Sequence, residues 1–187
     1  MKRTAIFAVA TAAGVFCAAA QAQSAPVYNA NITEAEVLAA QQGWCNALVA
    51  ISTEFETSGR DAAKTLAGQV IDAAYGYNLG PVLFKPTLTV APQTFRPTRA
   101  GALAYFVGGD PDFPNDSGFA LKGWTACEVR NAAISINGDI AHTIGNVVIT
   151  NKDNEVTTVD KTWAFKKTDD GKFRIMLHHS SLPYSAG

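Results

Sequence analysis

A chain of 187 residues with 15 basic and 16 acidic side chains carries a formal net charge of −1, which excludes the strongly basic face that nucleic acid or an anionic membrane surface requires. Its length suits one well-packed domain and is short for two. The three cysteines, Cys17, Cys45 and Cys127, lack the close spacing of a zinc site.

Lys2-Arg3, an uncharged apolar run from Ala5 to Ala20 and the small-residue site Ala20-Gln21-Ala22 form the three regions of a secretory signal peptide. Residues 1–22 are therefore expected to be removed after Ala22. The run is short and alanine-rich for a membrane-spanning helix, so the product is expected to be periplasmic or secreted, with no membrane or nucleic-acid partner. Cleavage leaves thirteen basic residues against sixteen acidic. Residues 23–32 are an N-terminal tail and 33–187 a single domain, in which Cys45 and Cys127 either pair or remain two buried thiols.

Thr33-Glu34-Ala35-Glu36 is a capping box, followed at helical spacing by Val37, Leu38, Trp44, Leu48, Val49 and Ile51. It predicts a first helix from Glu34 to about Thr57. Gly59 breaks the chain, and a second helix opening at Asp61 reaches Tyr75-Gly76-Tyr77 with Leu66, Val70, Ile71 and Ala74 inward. Val82 to Val90 reads as an extended segment interrupted at Pro86. A short third helix follows Arg96-Pro97-Thr98, carries Ala102, Leu103, Tyr105 and Phe106, and ends at Gly108-Gly109.

Beyond Asp110 the pattern is antiparallel sheet. A long strand is expected over Phe119 to Ile136, with Asn137-Gly138 as the hairpin turn, then strands over Ile140 to Thr150, Val156 to Lys166 and Phe173 onward. A four-strand meander must bury one face, and the N-terminal helices supply the only apolar cover. The expected class is α+β, with the helices on the concave side of a curved antiparallel sheet.

The last strand ends in His178-His179-Ser180-Ser181. Strict alternation puts Arg174, Met176, His178 and Ser180 on one face and Phe173, Ile175, Leu177, His179 and Ser181 on the other. One imidazole and one hydroxyl thus share a face, a pair able to move a proton or hold a small oxyanion.

Four segments in order resemble the iota-class carbonic anhydrases: Leu83-Phe84-Lys85-Pro86-Thr87, Gly101 to Gly109, Gly118 to Trp124, and Leu177 to Tyr184. The resemblance spans about Trp44 to Tyr184 and places the domain in the NTF2-like, SnoaL-like superfamily, near the calmodulin-kinase association domains. It implies an NTF2-like cone, reversible hydration of carbon dioxide to bicarbonate, and an assembly as a homodimer. It also implies anion-binding and catalytic roles for Thr87, Tyr105, His178 and Ser180, with His178, at an unperturbed pKa of about 6.5, as proton acceptor or shuttle.

A zinc-hydroxide site needs three facial ligands, commonly three histidines, and the chain has only His142, His178 and His179. Neighbouring strand residues point to opposite faces, so His178 and His179 do not readily clasp one ion. A metal-free site without cofactor is the reading taken, with zinc or manganese as the alternative. His142 reads as structural or solvent-facing, and His179 and Ser181 as packing or interface residues. Trp44, Trp124 and Trp163 read as core. Lys85, Arg96, Arg99 and Arg174 default to surface salt bridges, with Arg174 on the His178 face. Gly108-Gly109 lacks the Gly-Lys-Ser/Thr ending of a phosphate loop. Two rival readings are a non-enzymatic ligand-binding or oligomerisation module, and an isomerase or hydrolase using Asp160 as a pocket carboxylate.

Overall fold

The computed structural model describes residues 30–185; the expected signal peptide, with Cys17, and all but the end of the 23–32 tail lie outside the described residues. Helix α1 covers Glu34–Ser58. Its capping box is formed: the Thr33 hydroxyl accepts from the Glu36 amide at 3.3 Å and the Glu36 carboxylate accepts from the Thr33 amide at 2.8 Å, pairing two otherwise orphaned donors. Gly59, at φ 83, ends α1 and starts α2, Arg60–Ala74. A single residue in that conformation turns the chain without a longer loop.

After α2 come β1 (Leu83–Lys85), α3 (Arg99–Val107) capped by the Thr98 hydroxyl, and four longer strands, β2 (Trp124–Asn137), β3 (Ile140–Asn151), β4 (Val156–Lys167) and β5 (Phe173–Ser181). They form one sheet in the order β1-β5-β4-β3-β2. The helices cover its inner face, where β4 alternates buried Val159, Lys161, Trp163 and Phe165 against Trp44, Leu48, Ile71 and Tyr75. The α+β class and the helix-on-sheet layering are as expected, and Trp44, Trp124 and Trp163 are core residues.

Three details correct the expectation. The sheet has five strands and is mixed, because Leu83–Lys85 pairs in parallel with β5 at its edge. Pro86 has no amide hydrogen to donate, which limits that pairing to three residues. The strand expected from Phe119 begins at Trp124; residues Phe119–Leu121 form a 3₁₀ turn. Gly118 and Gly123, at φ 97 and 69, bracket that turn and break the extended path.

The third correction bears on the site. Pairing runs from Ala164 with Leu177 to Phe165 with Ile175, so Met176 is an extra residue on β5. One extra residue shifts the alternation. Ile175, His178 and Ser180 therefore share the buried face, and Arg174 does not share it; its guanidinium donates to the Ala73 carbonyl on α2.

A second irregularity lies between Asn131 and Ala133 on β2, opposite Gly145 of β3. A Cβ on Gly145 would lie 2.2 Å from the Arg130 carbonyl oxygen. Only glycine admits that approach, and it leaves the position beside Lys161, its β4 partner, without a side chain.

Cys45 of α1 and Cys127 of β2 form a disulfide with their Cα atoms 5.3 Å apart, although they are separated by 82 positions in sequence. It ties the helix that carries Trp44 to the sheet. Replacing both cysteines by alanine is expected to cost about 2–5 kcal/mol of stability, because so long a loop is then no longer closed in the unfolded chain. Urea unfolding checks this: the midpoint should fall, and an unchanged midpoint would show that the crosslink does not stabilise the domain.

Candidate active site

The residues singled out on three separate segments meet at one place. Phe84 of β1 is its centre. Its ring stacks on the His178 imidazole at 4.5 Å and meets the Tyr105 ring edge-on at 5.7 Å. Two residues beyond the end of β1, the Thr87 hydroxyl lies 2.5 Å from the Ser180 hydroxyl of β5. Lys85 fixes the same strand end by donating to the Ser180 carbonyl oxygen at 3.1 Å. The parallel pairing of β1 with β5 is what brings Thr87 and Ser180 together.

Tyr105 projects from α3 and stacks on Phe119 at 5.4 Å. Its hydroxyl is buried and has no hydrogen-bond partner of normal geometry among the described residues, although Thr87 and the Leu88 backbone are close by. Burial pushes its pKa above the ordinary phenol value, against the opposing pull of Leu88 and Thr87. It is therefore a protonated donor at neutral pH. A buried hydroxyl left unpaired costs free energy, so it marks a position where a ligand oxygen would be held. A cleft of about 20 Å³ beside it is lined by Leu88, Asp116, Ser117 and Lys122.

His178 is 2% exposed, and both ring nitrogens are engaged. Nδ1 lies 2.9 Å from the Tyr75 hydroxyl, which accepts from the Trp44 indole N–H at 3.0 Å; Nε2 lies 2.8 Å from Nζ of Lys161. Burial first, then the charge of Lys161 and His179, hold its pKa well below the ordinary imidazole value. This corrects the expectation of a histidine titrating near 6.5: His178 is a neutral link in a buried chain running from Trp44 to Lys161.

Tyr75 and Lys161 are the site residues that sequence reasoning missed. The signal for Lys161 was present, since it stands at an inward position of the alternation Val159, Lys161, Trp163, Phe165. Burial pulls its amine down to about 7. Tyr75 sits at the C-cap of α2, where nothing in the sequence separates it from an ordinary core aromatic.

The other candidates fall outside. Asp160 is on the exposed face and accepts from the Asn146 amide at 2.9 Å, and the apolar cavity of about 310 Å³ beneath the helices is lined by Trp44, Ala47, Val70, Ala74, Phe165 and Ile175. That removes the carboxylate an isomerase reading needs. His142 and His179 are exposed while His178 is buried, and among the described residues no group of three His, Cys, Asp or Glu side chains is placed to hold a metal ion. Arg99 does form an exposed salt bridge, with Asp72. Arg96 does not. It is 1% exposed and paired at 2.7 Å with Asp116, which is also buried, a correction that the loop order explains, since the 86–98 loop and the 110–118 segment meet through this pair and through Gln93 and Asp112.

Residues 35–182 match the family model described as metal-independent carbonic anhydrase. The chain belongs to that family. It is 63% identical over 159 residues to the metal-independent carbonic anhydrase of Nostoc sp. (strain PCC 7120), covering 85% of this chain and 78% of the relative. Among solved structures, the iota-carbonic anhydrase from a cyanobacterium complexed with bicarbonate superposes with a TM-score of 0.86 at 61% identity, over 88% of this chain and all of that one. A putative calcium/calmodulin-dependent protein kinase II association domain from Xanthomonas campestris, at 21% identity and a TM-score of 0.53 over 81% of this chain and 88% of its own, shares the fold alone. Membership of the metal-independent carbonic anhydrase family makes the chain an enzyme and sets aside the reading as a non-enzymatic module. It also agrees with a site built from hydroxyls, a phenol and an amine rather than from metal ligands.

Proposed function

We propose that the chain interconverts carbon dioxide and bicarbonate without a metal, in the space bounded by Thr87, Tyr105, His178 and Ser180. The observation that carries the residue assignment is the unpaired, buried Tyr105 hydroxyl beside the Thr87–Ser180 hydroxyl pair. Carbon dioxide is apolar and bicarbonate is an oxyanion, so a site for both needs an apolar floor and a few fixed donors. Phe84 supplies the floor, and the three hydroxyls supply donors aimed where negative charge grows on oxygen. Because they are held by packing, they need no reorganisation as the charge develops.

Export of the chain to the periplasm or medium after removal of residues 1–22 belongs to the same reading. It is supported by the three-region pattern of that segment and by the Cys45–Cys127 disulfide, a bond that persists in oxidising compartments. Assembly as a homodimer is supported by the exposed apolar side chains Ile144 and Val156 on the outer sheet face, and sedimentation of the purified protein reads it directly.

The test is stopped-flow carbon dioxide hydration by the mature protein before and after exhaustive chelation. Hydration above the buffer rate that survives chelation is the expected result. Loss of all activity on chelation, restored by zinc or manganese, would overturn the metal-free reading.

A further inference from the structure

Hydration converts two neutral molecules into an anion and a proton, and three hydroxyl donors do not provide a base to take that proton. His178 does not provide one either, since both of its nitrogens are engaged in the core and burial keeps it neutral. Of the ionisable groups near the site, Asp116 is held by Arg96, Lys85 donates to the Ser180 carbonyl and Lys122 is exposed, which leaves Lys161. It is 5% exposed on the inner face of β4 and is the direct cross-strand partner of Ser180, whose hydroxyl bonds that of Thr87. Cross-strand partners on one face stand close enough to interact.

Each element packed around Lys161 presents a specific group. From β5 comes the His178 imidazole at 2.8 Å, with the Tyr75 hydroxyl at the end of α2 beyond it. The Trp44 ring of α1 lies 4.6 Å away and the Trp163 ring of β4 5.4 Å away. The β3 partner, Gly145, presents no side chain. Among the described residues no carboxylate lies within ion-pair distance. A lysine in such surroundings is costly as a permanent cation and is suited to a charge that comes and goes with the ligand.

We propose that Lys161 is the proton acceptor of the hydration step and, once protonated, the counter-charge of the bound bicarbonate. The inference rests on the functional reading above. As the water oxygen bonds to the carbon of carbon dioxide, one water O–H bond breaks and its proton passes across the Ser180 hydroxyl to the Nζ lone pair. The products are bicarbonate and a lysine ammonium, so the core gains no net charge. When bicarbonate leaves, the ammonium yields its proton to water or buffer and the neutral amine is restored.

His178 can satisfy Lys161 in both states. With the neutral amine, an Nζ–H donates to Nε2 and leaves the amine lone pair free, while Nδ1–H donates to the Tyr75 oxygen, which has a second lone pair beside the one used by Trp44. The ammonium keeps the same arrangement, so the ring does not change tautomer as the proton arrives. Both ring nitrogens stay engaged in either state.

The test is a ¹³C NMR titration of the full-length mature protein labelled at lysine Cε, with the Lys161 signal assigned by its loss in Lys161→Met. In the free protein the signal is expected to titrate at about 7, and saturating bicarbonate should raise the midpoint by about a unit or more, as an adjacent anion favours the ammonium. The kcat for hydration should rise with pH through the same midpoint, because the amine must be neutral to accept. Lys161→Met should lose about 10²-fold or more in kcat and with it that limb of the pH profile, and Lys161→Arg should not restore them, since guanidinium does not act as a base at these pH values.

A Lys161 signal that remains charged to pH 9 and ignores bicarbonate overturns the proposal, as does Lys161→Met with the kcat and pH profile of the unsubstituted protein. Should Lys161→Met fail to fold, assignment by Lys161→Arg leaves the titration to decide. The titration requires no turnover, so an unsubstituted protein that hydrates no carbon dioxide would refute the functional reading as a separate result.

Discussion

Tyr105→Phe is expected to lower kcat/KM for carbon dioxide hydration by about 10²-fold or more, the effect of removing one donor from a preorganised oxyanion site. The same change should leave stability unchanged or slightly higher. Both expectations come from one observation: the Tyr105 hydroxyl is buried without a hydrogen-bond partner of normal geometry among the described residues. Its ring, stacked on Phe119 and edge-on to Phe84, is kept in full by phenylalanine. The variant therefore deletes a group that costs the fold something and serves only a ligand. Ser180→Ala is the companion. It removes the hydroxyl facing Thr87 while the main-chain contact from Lys85 to the Ser180 carbonyl remains, so its stability cost should be about 1 kcal/mol. Stopped-flow hydration together with urea unfolding checks the pair. A fully active Tyr105→Phe would remove that residue from the site.

The largest effect on stability is expected at Arg96. Its guanidinium is held by both Asp116 carboxylate oxygens at 2.7–2.9 Å and also donates to the Gln93 and Phe95 carbonyls. The Arg96 amide donates to the Phe84 carbonyl oxygen, and the Arg96 carbonyl accepts from the Tyr77 hydroxyl. One residue thus pins the loop that carries Thr87 to the turn after α2, to β1 and to the 110–118 segment. Arg96→Ala would leave the Asp116 carboxylate buried without its cation, at a cost of about 3–5 kcal/mol. A loss of that size in urea unfolding is expected, together with loss of hydration, because Thr87 would no longer be held at Ser180. A double change to a matched apolar pair should recover much of the stability, since then no lone charge is buried. A cost below 1 kcal/mol for Arg96→Ala would mean that the loop is held by other contacts.

Some of this was legible along the chain because it depends on near neighbours. The capping box of α1, the short helix after Thr98 and the hairpin at Asn137-Gly138 are local patterns, and each stands close to where it was expected. The face shared by His178 and Ser180 was also legible, because the bulge at Met176 lies before both of them. The same bulge carried Arg174 off that face, since a single inserted residue inverts every assignment on its far side. Arg96 was misread as a surface cation for a different reason: whether a charge is buried depends on what folds over it, and Asp116 is 20 residues away.

The sequence by itself determined the α+β class and the order of the helices and long strands, and its four motifs carry the resemblance that implies a carbonic anhydrase with Thr87, Tyr105, His178 and Ser180 as the expected site. Those features rest on periodicity, capping and residue identity, which act over a few positions. Only the tertiary structure decided that β1 joins the sheet in parallel, that Cys45 meets Cys127, and that Tyr75, His178 and Lys161 form one buried chain. These are contacts between residues far apart in sequence, and each changes the chemistry of the groups it joins. Burial among aromatic rings turns an ordinary histidine into a neutral link and an ordinary lysine into a base poised near neutral pH, and no local pattern encodes the medium into which a side chain will be packed.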